Sequence, residues 1–279
     1  MKRILTVSLT LFVFLAASQI VFAQAPTFST LVVAAGNGSA TLTFDTGVAT
    51  ISDGTGNLVP SDFTVSVSGS TNGGSVAANP AVTVTVTHTA GNNSATLNFS
   101  IAGTKDGSEI LTVTPATGTS IFRSTTTFDA MAGTATITQN LRDQLAPSAP
   151  FAAPTAAAGS LINTSENGTF SIAVGSLTST GAVVGDVLEI LVNGASFATP
   201  RTQILTAGQI SSGFTFTSVA LPAPDGAKNI TARVTDQAGN VGASSTQLAL
   251  TLNTSAPTAP SAAPTAAAGP LINASENGA

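Results

Sequence analysis

His88 is the only histidine in the chain, and cysteine, tryptophan and tyrosine are absent. A catalytic histidine needs a nucleophile on one side and an orienting acceptor on the other. The neighbours Thr87 and Thr89 give no such cue, and His88 follows Val86 on the apolar side of an alternating run, where it reads as a strand-end residue. One histidine without cysteines does not make a structural zinc set. Disulfides, thiolate metal sites and a thiol nucleophile are excluded together. Glycoside chemistry with two carboxylates needs both acids facing one cleft, yet the 13 acidic residues are scattered. Asp53-Gly54, Asp106-Gly107 and Asp225-Gly226 are each explained by turn chemistry. Asp53 to Asn57 has the opening of a calcium loop, but Thr64 stands where the closing bidentate Glu belongs. The expectation is a chain with no catalytic residues.

The elements that would position any site are strands. Val82, Val84 and Val86 alternate with Thr83, Thr85 and Thr87; Phe63, Val65 and Val67 alternate with Thr64 and Ser66; and Leu97, Phe99 and Ile101 alternate with Asn98 and Ser100. The same period returns at Leu188, Ile190 and Val192, at Ile230, Ala232 and Val234, and at Leu248, Leu250 and Leu252. Period-two alternation marks half-buried strands, with one face on a core and one on solvent. Turn residues separate the runs, as at Gly36-Asn37-Gly38, Gly91-Asn92-Asn93 and Asn193-Gly194. No amphipathic helix is evident. The expected class is all-β, built of tandem Ig-like β-sandwich modules.

A repeat divides the chain. Residues 146–168 read APSAPFAAPTAAAGSLINTSENG, and residues 256–278 read APTAPSAAPTAAAGPLINASENG. The two 23-residue stretches, 110 residues apart, differ at four positions: Ser148/Thr258, Phe151/Ser261, Ser160/Pro270 and Thr164/Ala274. That offset suits one sandwich with its connection. The expected division is a first module at 27–145, a second at 146–255, and the start of a further repeat at 256–279. Prolines every three or four residues make 146–158 and 256–268 read as semi-rigid linkers, the alternative being a first strand that pairs loosely with its own domain.

Residues 1–23 read as a secretory signal peptide. Lys2 and Arg3 are followed by an apolar run from Ile4 to Leu15, interrupted only by Thr6, Ser8 and Thr10, and Val21-Phe22-Ala23 closes the segment. The run falls short of the ~20 residues that span a bilayer, and no later segment is apolar enough to do so. Beyond Ala23 six basic residues face 13 acidic ones. That balance argues against nucleic acid or an anionic membrane as partner.

Two resemblances add to this reading. Residues 146–254 resemble the Ig-like repeats of large bacterial adhesins and biofilm-associated surface proteins. The matching residues are Gly185 to Gly194 (GDVLEILVNG), Asp225 to Ile230 (DGAKNI) and Val234 to Asn240 (VTDQAGN). Residues 27–145 are similar to a repeat of bacterial cell-surface proteins, through Thr43-Phe44-Asp45-Thr46, Leu58 to Gly69 (LVPSDFTVSVSG) and Gly107 to Pro115 (GSEILTVTP). Where that repeat has an Asp/Asn-rich turn, this chain has Ser120-Ile121-Phe122-Arg123-Ser124. The resemblance implies a structural or adhesive region of a secreted, surface-located protein, with a protein or polysaccharide as its surface ligand. The alternative is accessory modules of a secreted polysaccharide-acting enzyme. It also implies Ca²⁺ at the module joints, with oxygen ligands from Glu166, Asn167, Asp225, Asp236 and Asn240. The alternative is that Glu166 solvates a loop and that Asp236 and Asn240 shape the turn through side-chain to backbone bonds.

The leader gives the first testable expectation. N-terminal sequencing of secreted material should return Gln24 as the first residue; material beginning at Met1 would refute the cleavage site.

Overall fold

The computed structural model describes residues 24–69, 74–76, 82–116, 121–124 and 129–262. The signal peptide and most of the second repeat copy lie outside them. The chain divides into two compact units at Leu145/Ala146, and each is described separately.

Among the described residues the first unit carries nine strands: β1 (Phe28–Val33), β2 (Ser39–Phe44), β3 (Val48–Ala49), β4 (Phe63–Val67), β5 (Thr83–Thr87), β6 (Ser94–Ser100), β7 (Ile110–Pro115), β8 (Phe122–Arg123) and β9 (Ile137–Asn140). They form a four-stranded sheet in the order β1-β2-β6-β5, a three-stranded sheet β4-β7-β9 and the small pair β3-β8. Leu42, Phe44, Leu97 and Phe99 from the first sheet pack with Phe63, Val67, Leu111 and Val113 from the second. The core-facing residues are those of the alternation: β6 buries Ala95, Leu97 and Phe99 and exposes Ser94, Asn98 and Ser100. At the edge strand β5 the valines are only half-buried, while its threonines are exposed.

The second unit carries β10 (Thr155–Ala156), β11 (Leu161–Asn163), β12 (Phe170–Val174), β13 (Val187–Val192), β14 (Ala195–Ile204), helix α1 (Ala207–Ser212), β15 (Phe214–Val219), β16 (Gly226–Thr235) and β17 (Leu248–Asn253). A three-stranded sheet β10-β12-β15 faces a five-stranded sheet β11-β17-β16-β13-β14. Ile172, Val174 and Val219 meet Leu188, Ile190, Ile230, Ala232, Val234, Leu250 and Leu252 between them. All adjacent pairs are antiparallel except β11 and β17, which run parallel through Leu161–Thr251, Ile162–Leu252 and Asn163–Asn253. The β13–β14 hairpin closes on Asn193-Gly194, with φ of 51° and 79°. Positive φ at both central residues is what a two-residue type I′ turn requires, and Asn-Gly supplies it.

The first Pro/Ala-rich segment follows the alternative to the semi-rigid linker and pairs with its own module. Pro147, Pro150 and Pro154 are buried, whereas 256–262 are exposed. The Ser148 amide donates to the Thr180 carbonyl (2.8 Å). Thr155 and Ala156 pair with Ala173 and Ile172. The segment is therefore the first edge of its own module. Proline tolerates that position because an edge residue need not donate a ladder hydrogen bond. The structure also contains α1, for which no helical periodicity exists; Thr206 and Gln209 form a capping box at its start.

Leu188 is fully buried between the two sheets of the second unit. Leu188→Ala should lower the stability of residues 146–255 by about 2–5 kcal/mol, measured by urea unfolding followed by circular dichroism. The unmutated segment should itself give a β-rich spectrum, and a helical or disordered one would refute the boundary.

Candidate functional site

The five residues proposed as oxygen ligands do not converge. Asp225 immediately precedes β16 and Asp236 immediately follows it. At about 3.3 Å of rise per residue they lie roughly 35 Å apart. Glu166 and Asn167 come early in the module's sequence, yet they sit at the end where the chain leaves it. The cause is the parallel pairing of β11 with β17, which carries residue 163 alongside residue 253. Glu166, Asn167 and Asp225 thus belong to the trailing end of the second module, and Asp236 and Asn240 to the leading end. The five therefore do not meet at one end of this module. Among the described residues no three His, Asp or Glu side chains come together in a metal-binding group.

Each of the five is engaged locally. Glu166 Oε2 accepts from the Asn163 amide (3.0 Å). Asn167 clasps one distant residue: its Oδ1 accepts from the Leu221 amide (2.7 Å) and its Nδ2 donates to the Leu221 carbonyl (3.2 Å). Asp236 accepts from the Asn240 amide and from Asn240 Nδ2, both at 2.8 Å. That closes the turn anticipated from D-x-x-G-N, in which Gly239 has φ of 93°. Asp225 takes four bonds: from the Thr254 amide (2.8 Å) and hydroxyl (2.7 Å), and from the Ser255 amide (3.2 Å) and hydroxyl (3.1 Å). The Thr254 hydroxyl and amide hold the Asp225 carboxyl below the usual carboxylate range.

Sequence reasoning missed the buried charges. Asp186, before β13 at the leading end, is 1% exposed; its Oδ2 accepts from the Val183 amide (2.9 Å), while its Oδ1 has no partner among the described residues. Lys228 is buried on the inward row of β16 and sends Nζ to the Pro224 carbonyl (2.7 Å). The Arg233–Glu189 ion pair (2.8 Å) spans neighbouring strands of the same sheet. In the first module Glu109 is fully buried and accepts from the Asp106 and Gly107 amides. Asp62 accepts from the Val59 amide (2.7 Å). These two acids lie within the segments that carry the resemblance, and both brace turns. Lys105 does the same with its Nζ on the Ile101 and Gly103 carbonyls.

His88 is a buried structural residue. Its Nδ1 accepts from the Leu58 amide (3.1 Å) and its Nε2 lies 3.2 Å from the Asn92 carbonyl. A backbone N–H can only donate, so Nδ1 is unprotonated and the hydrogen sits on Nε2. Burial pushes the pKa of His88 down, against the opposing pull of the Asn92 carbonyl and the Asp62 carboxylate. Burial likewise raises Asp62.

Among the described residues no helix is long and apolar enough to cross a membrane. No protein-family model and no curated protein matches the chain. Three solved structures resemble it at 14%, 14% and 11% identity: the N-terminal part of the bacterial S-layer protein SbsC, the chicken CNTN1 FN1-FN3 domains, and the BSP domain of a biofilm associated protein. Their TM-scores are 0.29, 0.27 and 0.22, over 82%, 84% and 84% of this chain. The matches span 44%, 68% and 30% of those chains. The class that the packed sheets of each unit define is the all-β sandwich.

The histidine sets a pH dependence. A folded-state pKa below the ordinary 6.5 means that the unfolded chain takes up the proton first. The first module is then fully stabilised above that value and loses stability as pH falls below it. Nearer the carboxylate range Asp62 acts in the opposite sense and offsets part of the loss. Urea midpoints followed by circular dichroism should drop between pH 7.5 and 5.0, and His88→Gln should flatten that dependence.

Proposed function

We propose that the chain is a non-catalytic structural or adhesive repeat region of an exported bacterial surface protein, serving as a stalk of stacked sandwiches. The observation that carries this reading is the placement of the second module's two ends. The incoming chain is fixed where Ser148 meets Thr180 and the Pro147 carbonyl packs against Gly242, beside the 236–240 turn. The outgoing chain is fixed by Asp225, at the far end of β16. A module entered at one end and left at the other, and followed by a second copy of its opening segment, adds length each time it is repeated.

The polar chemistry supports the same reading. The acids and the histidine described above are engaged in bracing turns, strand ends and one cross-strand pair. With 8% charged residues and more acidic than basic ones, the chain offers little positive charge to a nucleic-acid partner.

The reading is tested on intact cells of the producing organism. Antibodies raised against residues 146–255 should label the surface, and brief protease treatment of whole cells should remove the epitope. An epitope found only after lysis would overturn it. A catalytic domain in the full gene would favour the accessory-module alternative.

A further inference from the structure

We propose that the Asp225 carboxylate is a tension latch that holds the outgoing chain to the body of the second module when the module's two ends are pulled apart. The inference deepens the stalk reading, since only a module loaded at both ends needs such a device.

Residues 254 and 255 follow β17 directly and are exposed. An exposed chain end just past its last strand is ordinarily where fraying starts. Here one carboxylate accepts four hydrogen bonds from those two residues, through both backbone amides and both hydroxyls. Hydrogen bonds to an ionised acceptor are about twice as strong as neutral ones. Thr254 is also held from the opposite flank, where the Thr164 hydroxyl donates to its carbonyl (3.0 Å).

The latch is itself anchored. Asp225 lies between Pro224, whose carbonyl accepts from buried Lys228, and Gly226, which pairs with Leu252 in the sheet. Lys228 stands on the same inward row as Ile230, Ala232 and Val234, so the corner bearing Asp225 is tied into the core by its own strand.

The direction of pull decides why this matters. β17 runs toward the trailing end, with β16 antiparallel on one side and β11 parallel on the other. A force on residue 255 directed away from the leading end drags β17 lengthwise past both neighbours. Its ladder bonds are then loaded together rather than peeled one by one. The Asp225 cluster is the first set of bonds the force meets, so the strand cannot slip before those bonds break.

The test is single-molecule stretching of the whole chain, tethered at its two ends and held at constant force. Two unfolding events are expected, one per module. Asp225→Ala should shorten the lifetime of one event by at least about tenfold, which corresponds to ~1.4 kcal/mol of barrier, and leave the other unchanged. Asp225→Asn, which keeps the shape and one acceptor oxygen, should give a smaller effect in the same event. Asp236→Ala removes two hydrogen bonds from a turn at the opposite end. It should lower the urea midpoint of the second module without shortening its lifetime under load. Equal shortening by Asp225→Ala and Asp236→Ala would show that Asp225 contributes only general stability, and would overturn the proposal. So would an unchanged lifetime in Asp225→Ala. Neither result bears on surface location, which the cell-labelling experiment decides separately.

Discussion

β16 pairs with β13 over six residues and with β17 over five, and its inward row of Ile230, Ala232 and Val234 is fully shielded from solvent. Because this strand is central and ten residues long, it sets three things together. It supplies the middle of the core. It fixes how far apart the module's two ends lie. Its first corner carries the carboxylate that secures the outgoing chain. With no cysteine anywhere in the sequence, cohesion rests on this packing and on the ladders at either side. Lys228 interrupts the apolar row near its start, where its stem lies along the core and its ammonium reaches a carbonyl at the rim.

Much of the architecture was legible because strand periodicity is a local property. Each alternating run named from the sequence is a strand, and the residues assigned to its apolar face are the buried or half-buried ones. The Asn193-Gly194 hairpin and the Asp236 to Asn240 turn were equally legible, because their residue types fit their backbone geometry. What escaped was whatever depends on which strand lies beside which. Proline spacing at 146–158 suggested an extended segment, which is correct locally; it could not say that a sheet edge receives it. Glu166 looked like part of the module's opening because of its place in the chain, and only the parallel β11–β17 pairing moves it to the trailing end. The helix at 207–212 is too short for periodicity to reveal, although Thr206 and Gln209 stood at capping-box spacing.

The charged residues follow one pattern across both modules. The chain carries few of them, and apart from the Arg233–Glu189 pair those described in detail are acceptors or donors for backbone groups at turns and strand ends. Asp53 accepts from the Thr55 amide and hydroxyl, Asp62 from Val59, Glu109 from Asp106 and Gly107, and Asp225 from Thr254 and Ser255. Carboxylates suit these positions because they accept several bonds and donate none. Each of these carboxylates thereby fixes a turn or a strand end of its own module.

The parallel course of β11 and β17 brings a further consequence for material behaviour. In its folded form the second module separates the points where the chain arrives and departs by about the length of β16, roughly 33 Å. The 110 residues of one repeat span roughly 360–400 Å when drawn out. Each such repeat therefore stores about ten times its folded span as hidden length. A string of such units under sudden pull would give way one unit at a time, releasing slack and dissipating work while the remaining units stay folded.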